Sequence, residues 1–92
     1  MYFVYTLLSL KDRDFYIGFT NDLDRRLKEH KRGESFATKH RLPITLIYYE
    51  VCSDFEDAKA REKYLKSGMG RKYLKNRIAH HLEKINKTPP NT

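Results

Sequence analysis

Two apolar runs, "YFVYTLLS" at 2–9 and "FYIGF" at 15–19, are separated only by "LKDRD". A parallel return would need a crossover of about a dozen residues or more, so the two runs can pair only as an antiparallel hairpin. Strand alternation then sorts their side chains. Phe15, Ile17 and Phe19 share one face of the second strand, with Tyr16 and Gly18 on the other. On the first strand Phe3, Tyr5 and Leu7 share a face. With Tyr5 and Tyr16 on the same side of the hairpin their phenols meet, as cross-strand aromatic packing or as part of a site. Gly18, beside Tyr16, leaves room for a ligand to approach the sheet.

The rest of the chain surrounds that hairpin. Asn21 is the expected N-cap of a helix that runs to about Lys31 and stops at Gly33. A basic loop, "ESFATKHRLP", closes at Pro43. "ITLIYYEV" at 44–51 reads as a third strand, apolar enough to be well buried. "SDFE" at 53–56 matches a capping box, with Ser53 as N-cap and Glu56 three residues on. The helix it opens runs to about Ser67 and stops at Gly68. Gly70 precedes a last helix whose stripe is Leu74, Ile78, Leu82 and Ile85. The expected order is β-β-α-β-α-α, an α/β (α+β) domain with a small three-stranded antiparallel sheet flanked by helices. It occupies residues 1–85, and residues 86–92 form a loose tail.

Composition narrows the class. A chain of 92 residues holds one small domain. Its single cysteine, Cys52, excludes an internal disulfide and a four-cysteine zinc site, and fits a reducing cytoplasm. No stretch approaches the roughly 18 apolar residues of a membrane span. The N-terminal run lacks the basic start of a signal peptide. Lysine and arginine total 19 against 12 acids, a formal charge of +7, which favours a polyanionic partner such as nucleic acid.

Two helices carry side chains that suit phosphate chemistry. Arg26 and His30 are i, i+4 neighbours beside the buried Leu23 and Leu27, so they would line the edge of a cleft. On the second long helix Phe55, Ala58, Glu62 and Leu65 form one stripe with a carboxylate in its middle. A carboxylate there is costly unless it is paired with a cation or bound to a metal. Mg²⁺ takes one or two carboxylates and keeps several waters, so Glu62 alone suffices for it. Phosphodiester cleavage needs a water activator, a cation at the phosphate and stabilisation of developing charge. Tyr16, Arg26 and Glu62 could meet those needs, with Tyr5 and His30 orienting or relaying. The adjacent His80 and His81 point about 100° apart on a helix and make a poor chelate.

With those residues in view the chain resembles the GIY-YIG nuclease superfamily. Tyr16-Ile17-Gly18 is the second half of the signature. Phe3-Val4-Tyr5 stands for the first half, with its tyrosine kept and Phe3-Val4 in place of Gly-Ile. Arg26, His30 and Glu62 match the helical arginine, histidine and glutamate, and Asn76 is the candidate for a later asparagine. The likeness covers about residues 2–80 and is closest to the small stand-alone bacterial members, related to the N-terminal nuclease domain of the repair excinuclease. It implies one divalent metal, Mg²⁺ or Mn²⁺, held by Glu62, and hydrolysis of DNA, branched or damaged DNA included. It also implies a signature tyrosine as general base.

The rival reading is a catalytically inactive nucleic-acid-binding module of the same fold. In either case phosphate contacts are expected from Lys31, Arg32, Lys39, His40 and Arg41 in one basic stretch, and from Arg71, Lys72 and Asn76 in another. A bare core grips the backbone without reading bases. Binding to DNA should therefore be weak and fall steeply with added salt. Fluorescence anisotropy across a salt series checks this, and a tight, salt-insensitive, sequence-specific complex would overturn it.

Overall fold

In the computed structural model, which describes residues 1–87, the two apolar runs pair as expected. Strand β1 spans Tyr2–Ser9 and β2 spans Phe15–Thr20, antiparallel with Tyr5 opposite Gly18 and Leu7 opposite Tyr16. Helix α1 (Leu23–Lys31) follows, then β3 (Ile44–Cys52), α2 (Phe55–Lys66), α3 (Gly68–Arg77) and α4 (Ala79–Asn86). The sheet order is β2-β1-β3, with β3 also antiparallel to β1. Residues 88–92, most of the expected tail, lie outside the described residues.

Because β1 is central, both of its faces are covered. Val4 and Leu8 point to one side, where they pack with Phe15, Ile17, Ile47, Ala58, Leu65 and Leu74 under α2 and α3. Tyr5 and Leu7 point to the other, against Ile44 and the α1 residues Leu23 and Leu27. Single-layer burial of this kind produces an alternating strand, whereas two-sided burial makes β1 continuously apolar.

Strand β3 departs from expectation. Its apolar run suggested a well-buried strand, yet Tyr49 is 50% and Val51 47% exposed. The strand lies at the sheet edge; Ile44 and Ile47 are buried in the core, while Leu46, Tyr48 and Cys52 are partly buried against it. A polar cluster fastens it to the helices: Arg61 Nε and Nη2 donate to the Glu50 carboxylate at 2.8 and 2.9 Å, and the Tyr48 hydroxyl donates to the same group at 3.0 Å.

Both expected helix caps fall one residue later than the sequence reading placed them. Asp22, not Asn21, accepts from Arg25 N, and Asp54, not Ser53, accepts from Glu56 N and Asp57 N. Each pair offers two good capping side chains in succession, and the carboxylate also meets the positive helix end. The last helix is two helices. Ser67 caps α3 by accepting from Gly70 N at 3.1 Å, so α3 begins before Gly70, and the chain leaves helical geometry at Ile78 before α4. The break turns Ile78, Leu82 and Ile85 onto the same core as Leu74.

Gly70 sets the corner between α2 and α3. A Cβ there would fall 2.5 Å from Leu65 Cα and 2.7 Å from Tyr64 C, with the Tyr64 carbonyl oxygen nearer still. Nothing lies within 4 Å of a Cβ at Gly68. Gly70→Ala should therefore cost about 1–3 kcal/mol of stability through overpacking, while Gly68→Ala leaves stability unchanged or slightly raised. Urea denaturation of the two variants checks the contrast, and equal midpoints would contradict it.

Candidate active site

Tyr5 reaches the site because Gly18 lets it. The two are opposed across the hairpin, and a Cβ at Gly18 would lie on the Tyr5 hydroxyl and 2.5 Å from its ring carbon Cζ. The space expected for a ligand at Gly18 is thus filled by the phenol of Tyr5. The tyrosines do meet, with ring centroids 6.3 Å apart. Tyr5 is buried and Tyr16 half-buried.

His30 lies deeper than its spacing suggests. The i, i+4 spacing put it at the edge of a cleft with Arg26, but its side chain is fully buried. Its Nε2 shares a 2.8 Å hydrogen bond with the Tyr5 hydroxyl, and its Nδ1 shares a 2.7 Å bond with Thr38 Oγ1. The Tyr16 ring stands against it edge-on at 5.3 Å. A neutral imidazole has one donor and one acceptor. With Nδ1 protonated, Tyr5 O–H donates to Nε2 and Nδ1–H donates to Thr38. With Nε2 protonated, both bonds reverse. Burial pushes the His30 pKa down to about 4, and the nearby Arg26 charge adds to the effect. Burial pushes the Tyr5 hydroxyl up to about 12, with Tyr16 acting the same way and Arg26 opposing both. Both groups are therefore neutral at pH 7.

Arg26 lies one helical turn before His30 and keeps part of its guanidinium exposed. Its Nη1 donates to Glu29 at 3.0 Å and its Nη2 to Ser35 Oγ at 3.3 Å. Thr38 and Ser35 belong to the loop after α1, and sequence reasoning took them for plain loop residues. Their only signal was position, a serine and a threonine closing a short turn shortly after a helix.

Glu62 comes from the other helical layer, since α2 packs on the opposite face of β1 and β2. Its charge nevertheless contributes to raising Tyr5. The side chain is 17% exposed and its ion partner is Lys66 at 3.3 Å, on the same helix. Among the described residues no three His, Cys, Asp or Glu gather as a metal cage. Mg²⁺ or Mn²⁺ needs none, because one or two hard carboxylates plus water complete such a site. A single largely buried carboxylate with an exchangeable lysine partner fits that donor set.

The expected phosphate contacts separate into two groups. Lys31, Arg32, Lys39 and His40 are exposed on the end of α1 and on the loop that carries Ser35 and Thr38. Arg41 is held by Asp12 at 2.7 and 3.2 Å, and Arg71 by Asp14 at 2.9 Å, so both clasp the hairpin turn. Lys72 and Asn76 are exposed on α3, away from the tyrosine face. His80 and His81 are exposed on α4.

The GIY-YIG catalytic domain family matches residues 1–73. UPF0213 protein CPE1444 of Clostridium perfringens is 39% identical over 67 residues, 72% of this chain and 71% of that one. UPF0213 protein SpyM50708 of Streptococcus pyogenes is 38% identical over 82 residues, 87% of this chain and 89% of that one. The solution NMR structure of UPF0213 protein BH0048 from Bacillus halodurans aligns with a TM-score of 0.50 at 33% identity, covering 80% of this chain and 82% of that one.

The low His30 pKa makes stability depend on pH with a definite sign. The unfolded histidine takes up a proton near its ordinary 6.5, while the folded one resists until about 4. Its contribution is complete above pH 6.5 and is lost as pH falls towards 4, about 3 kcal/mol in all. An NMR titration should find the His30 ring neutral at pH 5.5. A midpoint near 6.5 would refute the buried, neutral assignment.

Proposed function

This chain belongs to the GIY-YIG catalytic domain family, a nuclease superfamily, and we propose that it is a divalent-metal-dependent endonuclease that hydrolyses DNA phosphodiester bonds. The observation that carries the reading is the meeting of Tyr5, Tyr16 and His30 on one face, with Arg26 one helical turn before His30. Arg26 holds a non-bridging phosphate oxygen with the part of its guanidinium that faces solvent. Tyr16, the less buried tyrosine, takes the proton of the attacking water as its own phenolic proton passes to solvent, and the leaving oxygen takes a proton from solvent. The water oxygen bonds to phosphorus as the phosphorus–ester oxygen bond breaks. Tyr5 and Thr38 orient His30 from either side. Glu62 would hold Mg²⁺ or Mn²⁺, which when bound would supply stabilisation of developing negative charge.

The exposed cations of the α1 loop support a grip on the DNA backbone without base readout. The proposed setting is the cytoplasm, with DNA repair as the class of pathway; the lone cysteine suits such a compartment. Among the described residues no helix is long and apolar enough to cross a membrane.

A second reading has one observation in its favour. Lys66 already supplies Glu62 with a positive charge, as it would in a module that binds nucleic acid without cutting it. Cleavage of supercoiled plasmid and of branched DNA, with Mg²⁺ or Mn²⁺ and with EDTA, separates the two. Metal-dependent nicking should fall about 100-fold or more in Tyr16→Phe, Arg26→Ala and Glu62→Ala, with DNA binding kept in Glu62→Ala. Wild type that binds but never cuts supports the binding module. Cutting that survives all three changes refutes the site.

A further inference from the structure

Phe36 is 85% exposed, more than any other large hydrophobic side chain among the described residues. It is not on a loose segment. Ser35 before it and Thr38 after it are buried, and they hold Arg26 and His30 respectively. The turn is closed by its own backbone, with Thr38 N and Lys39 N both donating to the Ser35 carbonyl at 3.1 and 2.9 Å. The same turn that completes the polar site therefore pushes a phenyl ring into solvent beside it. Lys39 Nζ stands over that ring at 4.9 Å from its centroid.

An apolar ring paired with a cation matches one chemical unit, a nucleotide, which presents a flat π-face next to a phosphate. A closed duplex offers backbone charge but keeps its base faces stacked inside. We propose that Phe36 stacks on an unpaired base, and so directs the Arg26–His30 face to DNA with an opened nucleotide, such as a single strand, a branch or a gap. The proposal rests on the nucleic-acid reading above and adds the class of substrate to it. It carries no preference among bases, because every base has a π-face.

The chain has no tryptophan, so Phe36→Trp introduces a single fluorescent indole. The test uses the full chain in EDTA, which keeps binding apart from cleavage, with a short oligothymidine and a fully paired blunt-ended duplex as probes. Oligothymidine should quench the introduced indole, and the duplex should not. Phe36→Ala should weaken oligothymidine binding roughly ten-fold and leave duplex binding within about two-fold, since phosphate contacts are untouched. Equal affinity of Phe36→Ala and wild type for both probes overturns the proposal, as does an equal loss on both, which would mean a purely structural ring. The plasmid assay is separate. Selective loss in Phe36→Ala from a protein that never cuts would sink the nuclease and keep the stacking site. Normal cutting with no selective loss would do the reverse.

Discussion

The hydrogen-bond chain Tyr5–His30–Thr38 fixes the register of three segments that apolar packing alone would leave free to slide. Tyr5 comes from the central strand, His30 from the last turn of α1 and Thr38 from the loop beyond. All three are buried, so each bond left unmade would leave a polar group without water, at a cost of about 1–3 kcal/mol. A fully satisfied buried network of this kind selects one arrangement of its members. Once His30 is docked on Tyr5, the rotation of α1 is set. Arg26, one turn earlier, must then face the same side, and the loop must bring Ser35 to it. The site is in this sense a by-product of how α1 is locked to the sheet.

Much of this was legible in the sequence because it depends on periods. The five-residue polar break dictated the hairpin, alternation put Tyr5 and Tyr16 on one side, and helical spacing put Arg26 and His30 on one face. The resemblance to the family rested on the same residues. What failed depends on neighbours that a period does not report. His30 sits between Glu29 and Lys31 in a strongly charged helix, and nothing in that pattern marks the one polar residue that a tyrosine draws into the core. Gly18 read as open space because the cross-strand ring that fills it comes from another strand. The apolar content of β3 suggested a well-buried strand, since Tyr49 and Val51 look alike whether an edge exposes them or a layer covers them.

Charge was legible in amount and less so in place. The formal excess of +7 counts every cation alike, but the structure employs several arginines internally. Arg41 and Arg71 hold the two acids of the hairpin turn, and the Asp12 carboxyl is held down at about 2, first by its bond to Arg41. Arg61 ties α2 to β3 through Glu50. An arginine suits such two-pronged tasks better than a lysine. Lys31 at the end of α1 and Lys39 in the following loop remain exposed, each a point charge on a long stem.

The neutrality of His30 follows from the same arrangement and bears on the proposed chemistry. Its protonated form would be a second positive charge next to Arg26 inside the protein, which together with burial holds its pKa near 4. With Nε2 bonded to Tyr5 and Nδ1 to Thr38, neither ring nitrogen of His30 is left to take a proton from Tyr16. The histidine therefore serves the face by fixing its neighbours and not by carrying charge. Tyr5 suits that arrangement because its own hydroxyl, pushed up to about 12, stays protonated and keeps the ring of His30 aimed.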